Sequence, residues 1–161
     1  MVEKLYDSET GCCKRFDPKP WDGKEIRMKD KLFLKDSLRC FLRMPIGFGS
    51  LMKRDMEMIA KAGALAEEPL MLYDCKGLFG ADVLTHISKE VPGAKMVKVS
   101  GTFMAKVFEG PFKDTGKWVK EMQAYMKSKG KGMKKLYFFY TTCPACAKVY
   151  GKNYVVLLAQ V

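Results

Sequence analysis

The sequence holds one histidine, His86, and two tryptophans among its 161 residues. A multi-histidine metal site is thereby excluded, and histidine-based catalysis is confined to a single position. No apolar run approaches the ~18 residues that mark a membrane-spanning helix. The opening Met1-Val2-Glu3-Lys4-Leu5-Tyr6-Asp7 lacks the apolar stretch and small-residue cleavage site of a signal peptide. These absences predict a cytoplasmic protein with no membrane partner. A helix-turn-helix segment is missing as well, which argues against a DNA-binding regulator.

Acidic residues are in short supply: 29 Lys and Arg stand against 18 Asp and Glu, a formal charge of +11. Such a balance raises nucleic acid, anionic lipid or an acidic metabolite as partners. The lysines, however, are scattered over every predicted element. The densest run, Lys127-Ser128-Lys129-Gly130-Lys131-Gly132-Met133-Lys134-Lys135, reads as a helix end passing into a loop, where the helix dipole favours cations. That distribution argues against a nucleic-acid partner. With 48% hydrophobic residues the chain is long enough to bury one substantial core without staples.

Residues 1–23 form a predicted irregular arm, rich in turn chemistry such as Asp17-Pro18-Lys19-Pro20-Trp21-Asp22-Gly23. The remainder, 24–161, reads as a single domain. Alternation begins at Glu25–Met28, and a strand follows from Leu32 to Met44 with Leu38, Cys40, Leu42 and Met44 on one side. Ser50 then caps a helix over about 49–63 whose stripe contains Leu51, Met52, Asp55, Met56, Met58, Ile59 and Ala62. Strands Leu70–Asp74 and Ala81–Ser88 follow.

After Pro92-Gly93 the same order recurs. Strands Met96–Val99 and Thr102–Glu109 precede a helix over about 114–129, then strands Leu136–Thr141 and Tyr154–Val161. A shift of 66 positions lays Met52 on Trp118, Met56 on Met122, Ile59 on Tyr125 and Leu70–Asp74 on Leu136–Tyr140, apolar on apolar. The expectation is an α/β (α+β) fold of two pseudo-symmetric βαββ units, halves about 24–92 and 93–161. They would form a largely antiparallel sheet with two main helices on one face and a ligand cleft at the junction.

The run Gly101-Thr102-Phe103-Met104-Ala105-Lys106-Val107-Phe108-Glu109-Gly110-Pro111-Phe112, the helix carrying Trp118, the strand Leu136–Tyr140 and the closing apolar strand resemble the GyrI-like small-molecule-binding domains. That superfamily also includes the SOUL haem-binding proteins. The resemblance covers about 94–161 best, with 32–88 supported by the repeat. It implies capture of a small hydrophobic or aromatic molecule or, in some bacterial branches, hydrolysis of one. Many drug-binding members carry a buried Glu on the strand matching Leu136–Tyr140; Phe138 stands there instead.

Alternation puts Leu72 and Asp74 on one face, and the repeat makes Phe138 and Tyr140 their counterparts. With His86 these form the candidate ligand-binding set. Candidate catalytic groups are Tyr140, as donor to a developing oxyanion, with Asp74 or Glu109 as base or acid. Each has a plainer role: Asp74 can open a turn, Tyr140 and His86 can pack, and Glu109 can end a strand in solvent. Cys143-Pro144-Ala145-Cys146 and Cys12-Cys13 are candidate ligands for a structural zinc. A redox pair or plain reduced thiols are the other readings, because the thioredoxin-like setting is absent.

Overall fold

The computed structural model describes residues 16–41, 44–66, 70–76, 79–141, 151 and 153–161. Its elements in chain order are β1 (Glu25–Phe41), β2 (Met44–Pro45), α1 (Phe48–Lys61), β3 (Met71–Cys75), β4 (Gly80–His86), β5 (Met96–Glu109), α2 (Thr115–Ser128), β6 (Lys135–Tyr140) and β7 (Tyr154–Gln160). This is a mixed α+β protein with two α-helices among the described residues. It divides into a central unit, Arg27–Gly101, and a terminal unit formed by Thr102–Val161 with the chain up to Ile26.

In the central unit, β4 pairs antiparallel with both β1 and β3, and β2 pairs with the end of β1. The two predicted strand segments, Glu25–Met28 and Leu32–Met44, merge into one strand that ends at Phe41, while Met44 belongs to β2, which pairs back on β1. Leu42 lies outside the described residues. Met28 is buried on one parity, and Leu34, Leu38 and Cys40 continue it after Phe33 interrupts the alternation. Asp30 sits between them at φ 47, a left-handed kink whose N–H donates to Ser100 Oγ at 2.8 Å. The helix also starts earlier than predicted. Gly47, at φ 71, is the N-cap and makes no side-chain cap, so Ser50 lies inside the first turn rather than before it.

Helix α1 buries Leu51, Asp55 and Ile59, spaced one turn apart. Ile59 joins Leu34, Ala64, Ile87 and Val91 in a closed cluster, and a side chain of that size contributes roughly 1.5–3 kcal/mol when fully buried. The chain then turns at Gly63, φ 63, and Ser88 N–H donates to the Ala64 carbonyl. Directly paired residues share a face, so Leu34 with Thr85, and Asp36 with Val83 and Tyr73, point toward α1.

In the terminal unit, β7 pairs antiparallel with β5 and β6. Its five central residues, Val155–Ala159, are each 0% exposed, which explains why all five are apolar. Helix α2 buries Trp118, Met122 and Met126. Trp118 stacks on Phe108 at 5.8 Å, and Lys106 Nζ lies 5.1 Å from the Tyr125 ring, so the face bearing Lys106, Phe108, Leu157 and Phe138 is the one α2 covers. Gly110, at φ 146, allows that approach. A Cβ there would stand 3.4 Å from the Trp118 ring on a backbone that other residues rarely adopt.

Candidate functional site

Leu72 and Asp74 do share a face, the one turned away from α1. Leu72 pairs with Leu84, and Asp74 with Asp82; across β1 the same face carries Lys35 and Ser37. Two carboxylates directly opposite one another would repel. Lys76 Nζ offsets this by standing 2.9 Å from Asp74 Oδ2 and 3.8 Å from Asp82 Oδ2, with Lys35 Nζ 3.6 Å from Asp82 Oδ2. The Ser37 hydroxyl donates to Asp82 Oδ1 at 2.7 Å. Asp74 is therefore part of a charge-balanced ladder rather than a lone base.

His86 lies on that face too, paired with Phe33. Its Nδ1 is 2.9 Å from the Leu32 carbonyl, which can only accept, so Nδ1 carries the proton. Burial pushes its pKa below the ordinary value, and nearby Lys31 adds to the effect. The ring is neutral at pH 7 and tied to backbone.

A second carboxylate pair lies outside the sequence-predicted site residues. Asp55 occupies the middle of the apolar stripe of α1, 1% exposed, and reaches the face of β1 that carries Asp36. The Arg54 guanidinium hydrogen-bonds Asp36, and its Nε stands 3.8 Å from Asp55 Oδ1. Asp55 Oδ2 has no hydrogen-bond partner among the described residues. Burial, and then the neighbouring Asp36, raise the Asp55 pKa to about 7. Asp36 is itself pushed up by burial, but the Arg54 hydrogen bond, helped by Asp55 and the Ser37 N–H, outweighs this and holds it below its usual range.

Environment thus separates two like groups, one charged and one poised near neutrality, a pattern that suits proton transfer. Beside them opens a pocket of about 330 Å³ whose wall includes Leu38, Arg39, Ile46, Ser50, Leu51 and Arg54. The signal was present in the sequence, in an acid at a core-facing helical position.

In the terminal unit, Phe138 and Tyr140 stack on one another at 6.3 Å. They lie on the face covered by α2, whereas Asp74 lies on the face its helix leaves uncovered. The one-to-one matching of Asp74 with Tyr140 therefore fails by one residue. On β6 the residues turned away from α2 are Tyr137 and Phe139. Around Phe139 stand Trp21 at 5.3 Å and Phe16 at 5.9 Å, and Phe16 also meets Tyr154 at 5.8 Å. Phe139 is buried while the other three rings are half-exposed.

The arm that supplies Phe16 and Trp21 is docked by backbone. Gly23 N–H donates to the Ala105 carbonyl, Ala105 N–H to that of Lys24, and Val107 N–H to Asp22 Oδ1. Glu109 is exposed at the end of β5, opposite Tyr154. Cys12, Cys13, Cys143 and Cys146 lie outside the described residues, and among the described residues no three metal-binding side chains gather.

A family model described as bacterial hydrolase matches residues 3–161, so the chain belongs to that family. A hydrolase from Listeria innocua, encoded by lin2189, superposes with a TM-score of 0.59 at 14% identity, covering 87% of this chain and 92% of that one. A second Listeria innocua protein, described as uncharacterized and conserved, gives 0.59 at 14% identity over 84% and 90%. The protein SAV2435, in complex with tetraphenylphosphonium, gives 0.53 at 11% identity over 86% and 92%. These likenesses show a shared fold. No curated protein matches the sequence.

Proposed function

We propose that this protein is a cytoplasmic domain that binds a small hydrophobic or aromatic organic molecule. The observation that carries the reading is the cluster of Phe16, Trp21, Phe139 and Tyr154, a wall of π surface on the sheet face that α2 leaves uncovered. Flat rings held against each other in fixed orientations accept an apolar ligand at low entropic cost, and their negative faces also accept a cation. SAV2435, with a similar fold, binds an aromatic cation, which supports this ligand class. In this reading Leu72, Asp74 and His86 are the corresponding surface of the central unit. The two units are copies of one βαββ plan, and kinship reaches the SOUL proteins.

Trp21 provides the test. In a Trp118→Phe background it is the sole tryptophan. Titration with tetraphenylphosphonium, and with a neutral aromatic of similar size, gives a saturable change in its fluorescence that Phe139→Ala abolishes. Absence of any saturable change, together with no shift in melting temperature, overturns the reading.

The family description favours a second reading, hydrolysis of the bound molecule. In the terminal unit the candidate groups are Glu109, which shares the face of Tyr154 and whose carboxylate would activate water, and Tyr140 at the end of β6, whose phenol would protonate a leaving group reached round the strand end. In the central unit, taken by itself, the candidate base is Asp74. Under this reading Tyr140→Phe lowers turnover steeply while leaving affinity intact. A pure binder shows no turnover to lose.

A further inference from the structure

We propose that the end of the central unit carrying Phe41, Ile46 and Phe79 inserts edge-first into an anionic lipid surface, a peripheral contact that needs no spanning helix and so departs from the expectation of no membrane partner. These are the three large apolar side chains that stand well exposed among the described residues, at 62%, 57% and 63%. Scattered exposure of this kind needs no explanation, but these three are gathered at one place. Ile46 N–H donates to the Arg39 carbonyl and Cys40 N–H to the Phe79 carbonyl, so all three belong to one turn-bearing end of the β1–β4 sheet.

Their orientation selects the partner. Phe41 shares the face of Arg39, whereas Phe79, opposite Cys40, projects from the other face. A protein docking flat would cover one face and leave the other ring in water. A lipid interface entered by the sheet end takes up both rings at once, because it has no shape of its own to match.

Charge points the same way. Near this end each ion pair turns its cation outward and its carboxylate inward. The Arg54 side chain is 62% exposed against 26% for Asp36, and Lys76 is 50% exposed against 10% for Asp74. Arg39 is exposed beside Phe41. Outward cations around an apolar tip complement anionic headgroups, and long Arg and Lys stems let the charges stay at headgroup level while the rings go deeper. A second copy of this chain would instead bring another +11 against the same surface.

The test is co-sedimentation with vesicles of phosphatidylcholine alone and of phosphatidylcholine mixed with phosphatidylglycerol, in about 0.3 M salt to suppress diffuse adhesion by scattered lysines. The wild type pellets with the anionic vesicles. Phe41→Ser/Phe79→Ser, which keeps every charge, partitions at least about tenfold less, and Phe79→Ser alone falls between. An unchanged melting temperature confirms that the exposed substitutions leave the fold intact. Equal binding of wild type and double variant, or no binding by the wild type, overturns the proposal. So does a concentration-dependent dimer of the wild type, seen by sedimentation velocity, that the double variant loses. None of these outcomes touches the small-molecule reading, which rests on other residues.

Discussion

Helices α1 and α2 bury the same stripe with different chemistry. Leu51, Asp55 and Ile59 in one stand where Trp118, Met122 and Met126 stand in the other, each at one-turn spacing. Two apolar positions flank an acid in α1 and a thioether in α2. Packing alone is satisfied by the second solution, which costs no desolvation. The first keeps a carboxyl group almost out of water beside an ionised one, at a desolvation cost that the thioether avoids.

The largest effect expected from probing this comparison comes from its bulkiest member. Trp118→Ala should cost about 3–5 kcal/mol in urea unfolding, because the cavity beneath Gly110 and beside Phe108 cannot collapse onto a flat ring. Leu51→Ala, the matching truncation, should cost about 2–3 kcal/mol, since Leu51 sits at the rim of an open pocket. Equal losses would mean that both helices rest on cores of the same depth.

Asp55→Met rewrites α1 in the idiom of α2 and tests the acid directly. The folded pKa of Asp55, about 7, lies above the ordinary aspartate value of 3.8. The folded state therefore binds the extra proton, and this contribution to stability is complete below pH 4 and lost as pH rises through 7. Melting curves should show the wild type losing about 1–2 kcal/mol relative to Asp55→Met between pH 5 and 7.5. A pH-independent difference would show that Asp55 stays charged in its burial.

The smallest effect belongs to a second matched pair. His86 pairs with Phe33 on β1, and Gln160 pairs with Phe103 on β5. Burial depresses the His86 pKa, so its contribution is present above its ordinary value and lost as pH falls through the depressed one. His86→Gln should remove that acid-side loss, a change of less than about 1 kcal/mol between pH 7 and 5, read by the same melting curves.

Much of this architecture was legible because the helices announce their period and the turns their glycines. The order strand, helix, strand, strand and its recurrence came from those signals. Faces were harder. In β6, Leu136-Tyr137-Phe138-Phe139-Tyr140 is apolar on both sides, so an apolar-on-apolar match holds equally well when slipped by one residue, and one residue inverts every side chain. Tyr140 therefore falls on Asp74 in the sequence match although the two side chains lie on opposite faces relative to their own helices. The helical match slipped in the same way, with Met52 laid on Trp118 although Leu51 is the buried residue.

The carboxylate pair stayed hidden for a different reason. Asp55 was visible in its stripe, but nothing local ties it to Asp36, which only the packing of α1 on β1 brings near. Phe16 and Trp21 carry no period at all, and the arm that brings them to Phe139 is held by two backbone hydrogen bonds with Ala105.

Those bonds, with the Asp22 carboxylate on Val107 N–H, have a consequence for how the protein behaves in a crowded solution. A β-strand with unanswered amides is an adhesive surface, able to recruit the strand of a neighbour and grow into fibrils. Along Ala105–Val107 the arm answers those amides from within the chain. It serves as a selvedge, the finished border that stops a woven sheet from fraying into the next.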